Sequence, residues 1–185
     1  LSAIKRMKNL DLSLQPNLEF ARDMFLFSFY TRGMSFVDMA HLKKKDLQNG
    51  FLSYRRRKTG QQLVIRWEKC MQEIVGTCPE DSFSPYLLPV LKYPFKDTHK
   101  HYRNVMSGIN RNLKEIARLA DISLPLSMYC ARHSWASAAK GKNIPISVIS
   151  EGMGHDSEKT TLIYLAALDT TVIDKANMVV LREFL

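Results

Sequence analysis

Three short stretches carry side chains that could do chemistry together: Ala131-Arg132-His133-Ser134-Trp135-Ala136, the pair Gly154-His155, and Tyr164, nine residues beyond that histidine. A phenol can attack a phosphorus centre while an arginine and a histidine hold the phosphate oxygens. Only about one phenol in a thousand is ionised at neutral pH, so such a tyrosine needs cations or a base beside it. The formal net charge of +9, from 27 Lys and Arg against 18 Asp and Glu, agrees with a polyanionic partner. Charge alone admits nucleic acid or an anionic lipid surface.

Each residue also has an ordinary reading. Tyr164 is one of seven tyrosines, and most tyrosines pack in cores or lie on surfaces. His155 alone reads as a helix-start residue or a hydrogen-bonded core histidine, and Arg132 as half of an ion pair. The combination is more specific. Arg132 sits among Ser134, Ala136, Ser137, Ala138 and Ala139, whose small side chains allow the close packing that holds a guanidinium rigid. Arg55, Arg56, Arg57 and Lys58, beside Tyr54, form a cationic run that suits a DNA backbone, or equally a solvated strand edge. Lys43, Lys44 and His133 complete the candidate DNA contacts.

The elements that must position these groups follow from periodicity. At 185 residues with 45% hydrophobic content, the chain is expected to form one domain with a substantial core. Residues 17–30 place Leu18, Ala21, Phe25, Leu26 and Phe29 at helical spacing, and Ser35 to Asp38 reads as a capping box opening a helix through Leu42. Arg32 and Gly33 fall at the joint. Residues 51–57 and 63–67 read as a hairpin around Thr59-Gly60, with residues 45–47 as a candidate third strand. Further helices are expected at 68–76, 100–119, 129–140, 145–152, one capped by Asp156 or Ser157 that carries Tyr164, and an amphipathic one at 171–181. Residues 1–16 are expected as a linker or first helix, and 170–185 as a C-terminal helix that docks on its own domain or is exchanged with a neighbour.

Cys70, Cys78 and Cys130 are odd in number and lack zinc-ligand spacing, so neither a disulfide framework nor a metal site is expected. The longest strongly apolar stretch, residues 24–30, is too short to span a bilayer and no signal peptide opens the chain, so a soluble, cytoplasmic protein is expected. A start at Leu1 suggests a domain cut from a longer parent.

A lysine in a hairpin, then Arg-His on a helix, then Gly-His, then a tyrosine nine residues on, resembles the catalytic domain of tyrosine recombinases, the phage integrase family, over residues 18–181. Residues 29–38 and the segment at Ala131 look most like integrases of bacterial conjugative and other mobile elements. The resemblance implies an α+β, mainly helical fold with a small antiparallel sheet. It assigns Tyr164 as nucleophile, Arg132 as the second catalytic arginine, His155 as the histidine of the Gly-His turn and Lys58 as the hairpin lysine. Two positions depart from the pattern. Tyr129 stands where the family has a histidine three residues before Arg132, and a phenol is no proton shuttle near pH 7. Ser35 stands where the first catalytic arginine belongs, leaving the site one guanidinium short, with Arg32 as the candidate substitute.

The implied reaction is cleavage and rejoining of double-stranded DNA at attachment sites without metal, nucleotide or other cofactor. Tyr164 attacks the scissile phosphate to give a 3′-phosphotyrosyl link and expels a 5′-hydroxyl that Lys58 protonates. The resemblance further implies a monomer when free, a tetramer on DNA, DNA-bending accessory proteins, location at the nucleoid and an upstream DNA-binding domain. A catalytically impaired DNA-binding protein of the same fold, a type IB topoisomerase-like enzyme and a basic RNA-binding protein are the alternatives. The last leaves the spacing from Arg132 to Tyr164 unexplained.

Overall fold

The computed structural model describes residues 2–91 and 98–166; the expected helix at 171–181 and the segment 170–185 lie outside them. Helix α1 (Ser2–Lys8) leads into α2 (Pro16–Tyr30), which opens on Pro16, the residue type that tolerates the first helical turn because its missing N–H has no partner there. Leu18, Ala21, Met24, Phe25, Leu26 and Phe27 of α2 are all buried. Residues 24–28 are buried around the whole helix circumference, and α2 is accordingly packed by α1, α4, α5 and α6.

The short α3 (Phe36–His41) begins at Ser35, which caps it through one arm of the expected box: Ser35 Oγ accepts from Asp38 N, and the Asp38 carboxylate accepts the Ser35 hydroxyl proton at 2.6 Å. A three-stranded antiparallel sheet follows, ordered β1 (Leu47–Gln48), β2 (Phe51–Arg55), β3 (Gln62–Arg66). Leu52 pairs with Ile65 and Tyr54 with Leu63, while Val64, opposite Ser53, faces solvent. The sheet therefore buries alternate residues of one face. Helix α4 (Lys69–Thr77) and the 22-residue α5 (Thr98–Leu119) complete the first layer. Then come α6 (Met128–Lys140), α7 (Ile146–Met153) and α8 (Glu158–Ala166), the last carrying Tyr164. Thr160 N donates to Ser157 Oγ, so Ser157 caps α8.

Two apolar clusters hold this arrangement. The larger joins α1 to α5, the sheet and the start of α6. The smaller, Ala136, Ala139, Ile149, Met153 and Leu165 with Trp135 and Ile146 against it, binds α6, α7 and α8 together. The interval between them is where the joints α2–α3 and α7–α8 meet the hairpin tip. Among the described residues, no helix is long and apolar enough to cross a membrane.

The α2–α3 joint uses two consecutive left-handed residues, Arg32 (φ 62°) and Gly33 (φ 70°). Glycine is required at position 33 twice over: for its φ, and because a Cβ there would lie 2.7 Å from Arg132 Cα, a backbone atom of α6. Gly33→Ala is expected to lower stability by about 2–4 kcal/mol, the left-handed penalty plus overpacking, measured by urea unfolding. Unchanged stability would mean that α2 and α6 do not approach this closely.

Candidate active site

The small side chains of α6 let it approach the α2–α3 joint, and this buries Arg132, which is 6% exposed. Its guanidinium donates from Nη1 to Gly33 O at 2.8 Å and from Nη2 to Met153 O at 2.7 Å. One side chain thus ties α6 to both joints. Helix α7 ends on Gly154 in the left-handed conformation (φ 64°), and His155 N closes the turn on Ser150 O. A Cβ at Gly154 would lie 2.9 Å from Leu63 Cδ1 and 3.1 Å from Arg56 Cδ, side-chain atoms of the hairpin that would have to shift, and the φ itself calls for glycine.

The hairpin tip grips that turn. Arg56 Nη1 donates to Gly154 O, Thr59 Oγ1 reaches the same carbonyl at 3.4 Å and Gln61 Nε2 reaches His155 O at 3.5 Å. Three successive carbonyls, of Met153, Gly154 and His155, therefore each accept from a side chain of another element. A buried carboxylate fixes the hairpin from the far side. Asp38, 3% exposed, accepts from Ser35 Oγ with Oδ2 and from Arg57 N with Oδ1 at 2.9 Å, one residue before Lys58.

These contacts enclose a cavity of about 410 Å³ whose lining includes Ser35, Arg56, Lys58, Tyr129, Arg132, His155, Asp156 and Thr160. Its chemistry is that of an anion site: two guanidiniums, one ammonium and one imidazole face a common space. His155 is held neutral over the physiological range. Burial, then Arg132, Arg56 and Lys58, push it down to about 4, against the opposing pull of Asp156. Its Nδ1 lies 2.7 Å from Oγ1 of the fully buried Thr161 on α8.

The structure brings together Arg132, His155, Lys58, Tyr129 and Ser35. Tyr129, 60% exposed, reaches the rim and meets the His133 ring edge-on with centroids 4.6 Å apart. The Tyr164 backbone lies on α8, two turns beyond the Asp156 rim. Arg32 is not among the cavity-lining residues; its Cδ lies near the position a Cβ would take on Gly152, close to the Trp135 ring. The left-handed turn carries its stem toward Gly152 of α7. His133 likewise leaves the expected DNA face. It lines a separate apolar groove with Ile4, Met7, Leu126 and Ser137, where burial and the Arg132 charge lower its basicity.

Arg56 is the candidate residue whose place composition did not reveal. Expected with Arg55 and Arg57 as a DNA-backbone contact or a solvated edge, it is 7% exposed and lines the cavity, while Arg55 and Arg57 are exposed. Arg55 donates to Gly60 O within the hairpin, and Lys44 to Asp81 O at the other end of the sheet, beside Lys43, whose backbone bridges to Tyr86. The signal for Arg56 was available, because Leu52, Tyr54 and Arg56 continue one two-residue alternation.

Comparison with known proteins agrees with this geometry. The phage integrase family model matches residues 15–171. No curated protein sequence matches the chain significantly. Among solved structures, XerA recombinase is similar with a TM-score of 0.65 at 18% identity, covering 95% of this chain and 61% of its own. XerH recombinase bound to a palindromic difH substrate gives 0.64 at 16% identity, with 95% and 50% covered. The Tn1549 transposon integrase in complex with transposon right end DNA gives 0.57 at 15% identity, with 98% and 63% covered. The chain thus spans less than two thirds of the length of each of these structural relatives. A mainly helical chain with a small antiparallel sheet, a cationic cavity and a tyrosine on the helix after the Gly-His turn, matched over most of its length, belongs to the phage integrase family.

Proposed function

We propose that this chain is the catalytic domain of a site-specific recombinase that cleaves and rejoins double-stranded DNA through a 3′-phosphotyrosyl link at Tyr164. The observation that carries this reading is the cavity where Arg56, Lys58, Arg132 and His155, from three separate parts of the chain, converge at the foot of the Tyr164 helix. The Tyr164 oxygen, its proton passing to solvent water, forms the new bond to phosphorus as the bond to the 5′-oxygen breaks. Lys58, exposed at the cavity mouth, gives that oxygen its proton. Arg132 and His155 stabilise the charge growing on the non-bridging oxygens. Arg56 supplies the second guanidinium that Ser35 cannot, from the hairpin rather than from α3.

The DNA-bound state of the XerH and Tn1549 structures supports a double-stranded DNA partner. Assembly is proposed as a monomer in solution and a tetramer on DNA, with DNA-bending proteins assisting, in the cytoplasm at the nucleoid. Ser35 locked into its cap favours one second reading, a DNA-binding protein of this fold that has lost cleavage. A nicked suicide substrate separates the two: the native chain accumulates a covalent protein–DNA complex and Tyr164→Phe forms none. Specific binding with no covalent complex from either protein would establish the second reading. A plasmid assay excludes a topoisomerase if supercoils persist without an attachment site.

A further inference from the structure

Thr161 makes a close side-chain contact with His155, and its position invites a role in the chemistry. It is fully buried, lies one turn before Tyr164 on α8, and puts Oγ1 2.7 Å from His155 Nδ1 across the Gly154 turn. A neutral imidazole carries one proton, and its partner on one nitrogen decides what the other nitrogen offers. A threonine hydroxyl can donate or accept, so the surroundings decide the direction.

Every non-bridging phosphate oxygen is an acceptor, and the cationic groups at this cavity, Arg56, Lys58 and Arg132, are donors. An imidazole that serves beside them must present an N–H. The alternative, Nδ1–H donating to Thr161, would make Nε2 a base toward the phenol. With the ring held down to about 4 by burial and three cations, taking a proton from a phenol of pKa near 10 is uphill by about a millionfold.

We infer that Thr161 is a positioning residue that donates its hydroxyl proton to His155 Nδ1, fixing the proton on Nε2 so that the ring acts as a neutral hydrogen-bond donor to the phosphate. The inference rests on the recombinase reading for its substrate, but the tautomer itself is measurable on the protein alone. Because Thr161 and Tyr164 share one helix, the same bond also gauges whether α8 is seated before the ring is set.

The test is two-bond ¹H–¹⁵N correlation NMR of the full chain, with the His155 signals assigned by their loss in His155→Gln, alongside single-turnover cleavage of the suicide substrate. The native protein is expected to show one tautomer, protonated at Nε2. Thr161→Val should give a mixture of tautomers and slow cleavage by about 10- to 100-fold with DNA affinity unchanged, as expected for an orphaned buried acceptor. Thr161→Ser, which keeps the hydroxyl, should restore both. A native ring protonated at Nδ1 overturns the inference. So does a Thr161→Val protein whose tautomer matches the native one, whether its rate is kept or falls together with its melting temperature. If the tautomer behaves as expected and no variant cleaves DNA, the hydrogen bond stands and the recombinase reading fails.

Discussion

Arg56→Ala is expected to slow strand cleavage by about 10²- to 10³-fold, the usual cost of one preorganised donor at a developing oxyanion. Arg55→Ala and Arg57→Ala, one residue to either side, should leave the cleavage rate nearly intact. The contrast follows from the strand: Arg56 shares the inward face of Leu52 and Tyr54 and lines the cavity, whereas its neighbours face solvent. Those exposed arginines should act through phosphate contacts, each removal flattening the slope of log K against log salt by about 0.9. Single-turnover rates at saturating protein, with binding titrations at several salt concentrations, check both halves. Equal effects of all three substitutions on cleavage would return Arg56 to the role of a surface cation and leave the first-arginine place empty.

Arg132→Lys should be as severe for cleavage and should also weaken the fold. A lysine keeps the charge but cannot span Gly33 O and Met153 O while addressing a phosphate, because its donors radiate from one point instead of a planar fork. The expected loss is again about 10²- to 10³-fold in rate, with about 2–4 kcal/mol of stability from two charge-assisted hydrogen bonds at a buried junction. Urea unfolding and cleavage at a temperature where the variant stays folded separate the two effects. A variant that cleaves at the native rate would place the phosphate elsewhere.

Much of this site could be read from spacing, and the failures have identifiable physical causes. The Ser35 cap and the hairpin around Thr59-Gly60 are local patterns, fixed by hydrogen bonds a few residues apart, and both form. Arg132 and His133 were grouped because they are adjacent, but neighbours on a helix point about 100° apart, so one meets the cavity and the other the groove beyond it. Arg32 was chosen by its nearness in sequence to Ser35, and the left-handed backbone at positions 32 and 33, which sets the course of its stem toward Gly152, is not legible in that nearness. The closeness of Gly33 to Arg132, 99 residues away, depends on how two helices pack. No periodicity within either helix encodes that distance. Thr161 could be found only once the turn at Gly154 was known, since that turn folds α8 back so that its first buried hydroxyl meets the His155 ring.

The hairpin, the α7–α8 turn and α6 interlock around one space, so the proposed catalytic groups belong to different elements but depend on a few shared contacts. Asp38 is the least obvious of these, holding the Ser35 cap with one oxygen and the hairpin backbone beside Lys58 with the other. The family's missing arginine is thus replaced in chemistry, on this account, by a residue whose position the same network secures.

The most direct measurement is to trap the protein on a suicide substrate, digest the DNA and the protein, and locate the nucleotide remnant by mass spectrometry. One modified peptide is expected, spanning Tyr164, with the remnant joined through its 3′-phosphate to that side chain. A remnant on Tyr129 or on any other residue, or a 5′-phosphate linkage, would contradict it.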